Sequence, residues 1–310
     1  MRSLLLVVMF TALPAMAQYR VPDGIAVRKA TVMSEGAALT AYVYQAKANA
    51  GKRLPTILLC NGRGGLGENL RYHASRFAEA GYTTLTFDYR GWGESAGRLI
   101  AADLRAEPRR DGKPFAAEVI EVRETVDPFE QSADIMAMIA WLAAEPEVDA
   151  SRIGVWGTSF AGGLALHAMV NDPRLKVMVG QVGAYDTRRT GPQLEDFRRQ
   201  ATQRAHGELP YPGPRPREPG KLHGFVIAER QLYWAPVEDA PRVNRPVLII
   251  DAANEDLFDT RLHGLRVYER LSGPKQRVVI PLIKHFDIYR GEPLQQAVKL
   301  AIDWYDKHLK

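Results

Sequence analysis

The sequence IGVWGTSFAGG, residues 153–163, decides the fold that we predict for this chain. Its apolar run, Ile153–Gly157, predicts a short buried strand, and Ala161–Val170 predicts the helix that follows. Ser159 falls between them, on a turn built mostly of glycine and other small residues. A serine on such a turn presents its hydroxyl above the edge of a sheet, where it can act as a nucleophile. The pattern G-x-S-x-G is met in part, because Ala161 takes the place of the second glycine.

Apolar runs alternate with helical patterns over most of the chain, which indicates an α/β fold with a mainly parallel sheet covered by helices. We predict eight strands, at Ile25–Val32, Ala38–Gln45, Pro55–Cys60, Thr83–Asp88, Ile153–Gly157, Val177–Val182, Pro246–Ile250 and Arg277–Pro281. We predict helices at Glu68–Ala80, Phe129–Ala144, Ala161–Val170 and Thr260–Leu271, and a final helix with Leu294, Val298, Ala301 and Tyr305 on one face.

Two long segments, residues 96–128 and 187–245, interrupt this alternation. The second is rich in proline and arginine, and from Thr187 to Arg230 it holds nine Lys or Arg against five Asp or Glu. Connections of this length inside a compact domain usually form lids or binding elements. We therefore expect one domain over residues 18–310, with residues 187–245 inserted as a cap or lid.

The charge of the chain is mildly basic, with a formal net charge of +5. That charge is spread along the sequence, without a lysine-rich tail or a stripe of arginine and aromatic residues. A nucleic-acid surface would concentrate it on one face or helix. We therefore expect no nucleic-acid partner, and the oligomeric state stays open.

The first residues have the pattern of a secretion signal peptide. Arg2 is followed by an apolar run over residues 4–13 and by small residues that end at Ala17, where we expect cleavage. The run is too short to span a bilayer as a helix, so we expect no stable membrane insertion. This predicts a secreted or periplasmic protein. Cys60 is the only cysteine, so no disulfide can form within the chain.

A serine hydroxyl needs a base to take its proton. Where serine stands on such a turn, an acid and then a histidine follow it along the chain. His285, just after the last predicted strand, is the candidate base. The acid is expected in residues 251–259, DAANEDLFD, after the strand Pro246–Ile250. Glu255 and Asp256 both lie far enough beyond the strand to reach the histidine, and the residues alone leave both open.

An oxyanion that forms at an attacked carbonyl needs two fixed N–H donors. The backbone N–H of Phe160 is one candidate, and that of Arg63, in the glycine-rich turn of residues 61–65, is the other. This turn lacks the Gly-Lys-Ser/Thr ending of a phosphate-binding loop. The histidines and the cysteine lack metal-ligand spacing as well. We therefore expect neither a cofactor nor a metal.

Four blocks of sequence carry a family resemblance. They are CNGRGG at residues 60–65, DYRGWGES at 88–95, the serine turn at 157–163, and residues 246–258 together with Lys284-His285-Phe286. On these blocks the chain resembles the α/β-hydrolase superfamily over essentially its whole mature length. Residues 148–157 are similar to its dienelactone-hydrolase and Xaa-Pro-peptidase-like branches, which include many acyl esterases.

The resemblance implies an enzyme and assigns its residues. It implies a serine hydrolase that cleaves a small-molecule carboxylic ester through an acyl-enzyme, with Ser159, His285 and an acid. Matching residues 248–257 to the family without gaps places Glu255 at the acid position. Asn61 stands where the family usually has histidine, which leaves the Arg63 donor usable. A prolyl-type serine peptidase is the nearest alternative, and a binding protein without catalysis is a second.

Overall fold

A computed structural model describes residues 19–102, 112–211 and 222–310. The expected signal peptide, residues 1–17, lies outside the described residues. The strands within those ranges are β1 (Ile25–Ser34), β2 (Ala37–Ala46), β3 (Leu54–Cys60), β4 (Thr83–Phe87), β5 (Arg98–Ala101), β6 (Val119–Val122), β7 (Thr125–Val126), β8 (Val148–Thr158), β9 (Leu175–Gln181), β10 (Phe225–Val226), β11 (Val247–Ala252) and β12 (Lys275–Ile280). The α-helices there are α1 (Arg71–Glu79), α2 (Pro128–Leu142), α3 (Ala161–Asn171), α4 (Gly191–Ala205), α5 (Ala228–Gln231), α6 (Gly264–Arg270) and α7 (Gly291–His308).

Eight of these strands form one sheet, in the order β1-β2-β4-β3-β8-β9-β11-β12. Strand β2 runs antiparallel to both of its neighbours, and the strands from β4 to β12 in that order run parallel to one another. The prediction of a mainly parallel, eight-stranded sheet flanked by helices is therefore confirmed. Outside it, β5 pairs with β6 and β7 pairs with β10.

The central strands β3, β9 and β11 are buried on both faces of the sheet, which explains their continuous apolar runs. In β3, Leu58 packs on one face and its neighbours Ile57 and Leu59 pack on the other, as the two-residue period of a strand requires. Helices α2, α3 and α6 contribute apolar side chains to the first face, and α1 and α7 contribute them to the second. The core thus forms two apolar layers that hold the central strands.

The sequence misplaced several element boundaries. The helix predicted from Thr260 begins only at Gly264. The reason is a local turn, in which the Asp259 carboxylate accepts hydrogen bonds from the backbone and side chain of Arg261. Such side-chain bonds to nearby backbone compete with a helix. In the segment 187–245, the described residues form α4, β10, α5 and a 3₁₀ helix, Pro236–Arg242. No helix in the described ranges has the length and apolarity needed to cross a membrane.

A buried ion pair holds the DYRGWGES turn against α2. The Arg90 guanidinium donates to Asp134 from Nε at 2.9 Å, and the Arg90 backbone N–H donates to the same carboxylate at 2.9 Å. The Asp134 side chain is fully buried. The guanidinium also donates to the Ser34 hydroxyl and pairs with Glu35. The motif therefore has a structural role, since it joins the ends of β1 and β4 to α2.

We expect Asp134→Ala to lower the free energy of unfolding by about 3 kcal/mol, because it leaves a buried guanidinium without its counter-charge. Asp303→Ala is the matched control, since it removes the partner of Lys299 in an exposed pair on α7. There we expect a change below about 1 kcal/mol. Urea denaturation followed by circular dichroism measures both values, and equal losses would contradict the structural role of the buried pair.

Candidate active site

Ser159 lies on a left-handed turn between β8 and α3. Its φ is 53°, a region in which a residue with a side chain is strained. Hydrogen bonds hold it there. The Ser159 N–H donates to the Gln181 carbonyl at 2.9 Å, and the Ser159 carbonyl accepts from the N–H groups of Gly162 and Ala184 at 2.9 Å. The turn presents the hydroxyl at the edge where the parallel strands end.

Glycines next to the serine allow backbones to approach closely. A Cβ on Gly157 would lie 2.2 Å from the Ala161 carbonyl oxygen, and one on Gly163 would lie 2.6 Å from the Ala184 carbonyl oxygen. The crossing of β8 and α3 is therefore possible only with glycine at these positions. Ala161 itself is buried in the core. Alanine in place of the second glycine of G-x-S-x-G therefore leaves the turn intact.

The structure brings three of the predicted residues together. The Ser159 Oγ lies 3.0 Å from His285 Nε2, and His285 Nδ1 lies 2.8 Å from Glu255 Oε2 and 3.0 Å from Oε1. The side chains of His285 and Glu255 are 1% and 2% exposed. The carboxylate thus contacts one ring nitrogen and the hydroxyl contacts the other. This arrangement can take a proton from the serine and stabilise the imidazolium that results.

Asp256, the alternative acid, does not reach the imidazole ring. Its Oδ1 accepts a hydrogen bond from the backbone N–H of His285 at 3.3 Å. Its other oxygen lies 3.8 Å from Lys284 Nζ, and its side chain is 44% exposed. The geometry therefore assigns Asp256 to the backbone of the histidine loop, and it places Glu255 at the ring.

Aromatic side chains surround the histidine. The ring of Phe258 makes edge contacts with His285, at 5.6 Å between centroids, and packs at 4.5 Å against His263. Burial lowers the pKa of His263, although the nearby Asp186 acts to raise it. The Nδ1 of His263 accepts a hydrogen bond from the Tyr185 N–H at 3.0 Å. The sequence indicated only a helical position for His263, and no motif pointed to its place beside the site.

The glycine-rich turn of residues 61–65 packs directly on Ser159. A Cβ on Gly62 would lie 2.9 Å from the Cβ of Ser159 and 3.6 Å from its Oγ. Among the described residues, the backbone N–H groups of Arg63 and Phe160 have no hydrogen-bond acceptor. Phe160 follows Ser159 in the sequence, and the turn that contains Arg63 packs on Ser159. Both N–H groups are free to donate to a substrate oxygen. They have the chemistry of an oxyanion hole.

The side chain of Arg63 joins this turn to the insertion. Its Nε donates to the His223 carbonyl at 2.9 Å, and its Nη2 donates to the carbonyls of Gly224 at 2.9 Å and Leu222 at 3.3 Å. Burial lowers the pKa of the Arg63 guanidinium, and the charge of Arg189 lowers it further. The sequence predicted a role for the Arg63 backbone, but it carried no sign of this side-chain contact.

The part of the insertion that contains His223 and Gly224 is fixed next to that contact. The ring of His223 lies edge-on to Trp92, at 5.5 Å, and its Nε2 lies 2.9 Å from a carboxylate oxygen of Glu124. Gly224, at φ 93°, packs so closely on Trp92 that a Cβ there would lie 2.7 Å from the indole. The side chain of His206, the other histidine of the insertion, is 67% exposed.

A metal centre has no support in residues 19–102, 112–211 and 222–310, where no group of three or more His, Cys, Asp or Glu side chains could hold an ion.

Comparisons with known proteins concern the sequence family and the fold of the chain. A model of the family described as X-Pro dipeptidyl-peptidase (S15 family) matches residues 35–193, just over half of the chain. An uncharacterized 31.7 kDa protein of Escherichia coli is 27% identical, over 89% of this chain and 98% of its own.

Solved structures share the fold. A hypothetical protein of Pseudomonas aeruginosa superposes with a TM-score of 0.69 and 22% identity, over 94% of this chain and 96% of its own. An acetyl xylan esterase from Paenibacillus sp. R4 superposes with a TM-score of 0.61 and 21% identity, over 93% and 85%. Each likeness is one of architecture, and it supports the α/β-hydrolase fold.

We expect Gly62→Ala to slow the reaction of Ser159 with a phosphonofluoridate by about a hundredfold, because the added methyl group must displace the turn that holds the Arg63 N–H. Gly24→Ala is the control, since a Cβ there meets nothing within 4 Å. Mass spectrometry of the labelled protein over time measures the rate. A Gly62→Ala protein that is labelled as fast as the control would exclude this role for the turn.

Proposed function

Because the chain belongs to the X-Pro dipeptidyl-peptidase (S15) family, we propose that it is a serine hydrolase that cleaves carboxylic esters of small molecules. One observation carries the proposal. Ser159, His285 and Glu255 form a continuous hydrogen-bonded series, with 3.0 Å between hydroxyl and imidazole and 2.8 Å between imidazole and carboxylate. Nucleophile, base and orienting acid are within the reach that acyl transfer requires.

The first chemical step is attack on the ester carbonyl. The Ser159 Oγ forms a bond to the carbonyl carbon while His285 Nε2 takes the hydroxyl proton. Glu255 accepts a hydrogen bond from Nδ1–H, which holds the ring in the required tautomer and stabilises its positive charge. The negative charge on the substrate oxygen accepts hydrogen bonds from the N–H groups of Arg63 and Phe160.

The second half of the reaction releases the products. The imidazolium of His285 returns its proton to the alcohol oxygen, and the bond from the acyl carbon to that oxygen breaks. Water then attacks the acyl group on Ser159, with the same histidine as base. The acid leaves and the serine is restored. The protein supplies every group in these steps, so the mechanism uses no cofactor and no metal.

The charges around the site favour an ester over a peptide substrate. A prolyl-type peptidase, the second candidate suggested by the family, usually grips the peptide amine with a carboxylate or a set of aromatic side chains. Among the described residues near the site, Glu124 faces His223 and Asp186 pairs with Arg188. These carboxylates are engaged and do not offer a free anion to an amine. Comparing an ester and an amide of one acyl group separates the two candidates.

Two further parts of the proposal concern the insertion and the N-terminal segment. We propose that residues 187–245 act as a cap that selects the substrate, since Arg63 attaches their return segment to the oxyanion turn. We also propose that residues 1–17 direct export, which makes the enzyme secreted or periplasmic. The pattern of Arg2, the apolar run and the small residues before Ala17 supports this.

We expect Ser159→Ala to lower the turnover of p-nitrophenyl acetate by at least about a thousandfold and to abolish labelling by a fluorophosphonate, because it removes the hydroxyl that lies 3.0 Å from His285 Nε2. Release of p-nitrophenolate and labelling on a gel measure the two effects. If the alanine protein hydrolyses the ester at the parent rate, the proposed mechanism is wrong.

We expect Glu255→Gln to lower kcat by about a thousandfold or more, since an amide cannot stabilise the imidazolium. Asp256→Asn is the matched control, because it removes the charge while its amide oxygen can still accept the hydrogen bond from the His285 N–H, so at most a contact worth about 1 kcal/mol is weakened, or less than about tenfold in rate. Steady-state kinetics with p-nitrophenyl acetate compares them. A larger loss in Asp256→Asn would move the acid to that residue.

A further inference from the structure

Tyr289 joins the loop of the candidate base to the strand of the candidate nucleophile. It ends the short 3₁₀ helix Asp287–Tyr289, four residues after His285. Its hydroxyl oxygen lies 2.6 Å from Oγ1 of Thr158, the last residue of β8 and the residue before Ser159. Its ring lies beside the base, with 6.3 Å between its centroid and that of the imidazole. The Tyr289 side chain therefore contacts both catalytic neighbourhoods.

The Thr158 hydroxyl belongs to the contacts that hold the serine turn. The Gln181 side-chain amide donates to Thr158 Oγ1 at 3.5 Å, and the Gln181 backbone carbonyl accepts from the Ser159 N–H at 2.9 Å. Both Thr158 and Gln181 are buried. A buried hydroxyl is costly without a partner, and Tyr289 is the closer of the two partners of Thr158. The position of Tyr289 is thus linked to the backbone of the nucleophile through two side chains.

Two backbone groups of the histidine loop, residues 281–290, bind the acid loop that follows β11. The Ile283 carbonyl accepts from the Asn254 N–H at 2.9 Å, and the His285 N–H donates to Asp256 at 3.3 Å. These bonds fix the histidine loop relative to β11. The serine, however, follows β8, and β9 lies between β8 and β11 in the sheet.

Two other hydrogen bonds join the histidine loop to the nucleophile segment, residues 153–163, and both ranges lie wholly within the described chain. One runs between Ser159 Oγ and His285 Nε2, and the other between Tyr289 and Thr158. The first bond is lost in an acyl-enzyme, because an acyl group has replaced the hydroxyl proton that Nε2 accepts. The second involves no reacting atom and persists. In an acyl-enzyme it is the hydrogen bond that still ties the base to the nucleophile strand.

We propose that Tyr289 and Thr158 are positioning residues, whose hydrogen bond keeps His285 in place while the acyl-enzyme is hydrolysed. This inference rests on the proposed hydrolase function and concerns the second half of its reaction. In that half, the oxygen of water forms a bond to the acyl carbon while His285 Nε2 takes a proton from the water. The proton then passes to Ser159 Oγ as the bond from Oγ to the acyl carbon breaks.

Hydrolysis of the acyl-enzyme is the step most sensitive to the position of the imidazole. Before acylation, the Ser159 hydroxyl itself helps to orient the ring, at 3.0 Å from Nε2. Water has no covalent link to the protein, so its activation depends on where His285 is held. A misplacement of about 1 Å can slow a reaction by about a hundredfold. Loss of the Tyr289 hydroxyl should therefore slow hydrolysis of the acyl-enzyme more than its formation.

The test measures the two halves of the reaction separately. The value of kcat/KM for p-nitrophenyl acetate reports formation of the acetyl-enzyme, and the rate at which acetylated protein loses its acetyl group reports hydrolysis. Rapid quenching followed by mass spectrometry of the intact protein measures the second rate. The variants are Tyr289→Phe, which keeps the ring, Thr158→Val, which keeps the branched shape, and the two combined. Thr158→Ser retains a hydroxyl and tests for rescue.

We expect Tyr289→Phe and Thr158→Val each to slow loss of the acetyl group by about fivefold, as one neutral hydrogen bond provides, and to lower kcat/KM by less than about twofold. Acetylated protein should accumulate during turnover. The double variant should be no slower than the slower single variant, because two residues that share one bond do not have additive effects. Thr158→Ser should keep the parent rate.

Tyr82→Phe is the matched control. The Tyr82 hydroxyl donates to Asp306 at 2.6 Å, so the variant removes a hydrogen bond of the same length. Tyr82 directly precedes β4, at the edge of the sheet opposite the serine turn. We expect parent rates for both halves of the reaction. Urea denaturation followed by circular dichroism reports the folding of every variant, and Thr158→Val removes the bond of Tyr289 from its other side if Tyr289→Phe is too unstable to purify.

Three results would overturn the inference. They are loss of the acetyl group at the parent rate in Tyr289→Phe, equal slowing of both halves of the reaction, and a double variant whose loss is the product of the single losses. The hydrolase function is judged separately. If the parent protein becomes acetylated and Ser159→Ala does not, that function stands whatever Tyr289→Phe does. If the parent protein neither becomes acetylated nor releases p-nitrophenolate faster than Ser159→Ala, both proposals fail.

Discussion

The backbone at Ser159 adopts a φ of 53°, a conformation that costs a residue with a side chain about 1 to 3 kcal/mol. Two backbone hydrogen bonds hold this conformation. The Ser159 N–H donates to the Gln181 carbonyl at the end of β9, and the Ser159 carbonyl accepts from the Ala184 N–H just beyond that strand. Strand β8 and helix α3 cross closely at Gly157, which fixes the direction of α3 relative to β8. The contacts with Gln181 and Ala184 therefore balance the strain. The chain continues directly from Ala184 into the insertion, so the conformation of the serine and the start of the insertion are set together.

The remaining groups meet the serine because parallel strands end at the same edge of the sheet. Strands β9, β11 and β12 are neighbours, and the loops after the last two carry Glu255 and His285. A hydrogen bond of 2.9 Å from the Asn254 N–H to the Ile283 carbonyl joins those loops. Residues more than a hundred positions apart in sequence thus come within hydrogen-bond distance without any movement of the sheet. The positions of Ser159, Glu255 and His285 relative to one another depend on the order of the strands, and their side chains need only the correct rotamers.

Much of this was predictable from sequence, and the rest was not for physical reasons. The central strands β3, β9 and β11 follow from apolar runs, because burial on both faces of the sheet demands them. Glu255 and Asp256 are adjacent acids in a loop, and only the loop backbone decides which of them points at the imidazole. The hydrogen bonds from Arg63 to residues 222–224 join positions about 160 residues apart in the sequence, so no local pattern reveals them. The ion-pair partner of an arginine is equally hidden, since it can lie far away in sequence, as Glu229 does for Arg204.

Two contacts that hold the chain within the insertion bear on how such a protein can diversify. Arg204 ties the end of α4 to α5, and Arg63 ties the return segment to the oxyanion turn. These two contacts fix the positions of Arg204 and of residues 222–224, whatever the length of the chain between them. The entropy of closing a loop grows slowly with its length, so insertions and deletions there have little effect on folding. Evolution could replace the whole chain between the two contacts and change the substrate preference, while the reactive groups stay unaltered. A change at either contact would alter the substrate preference and the reactive groups together.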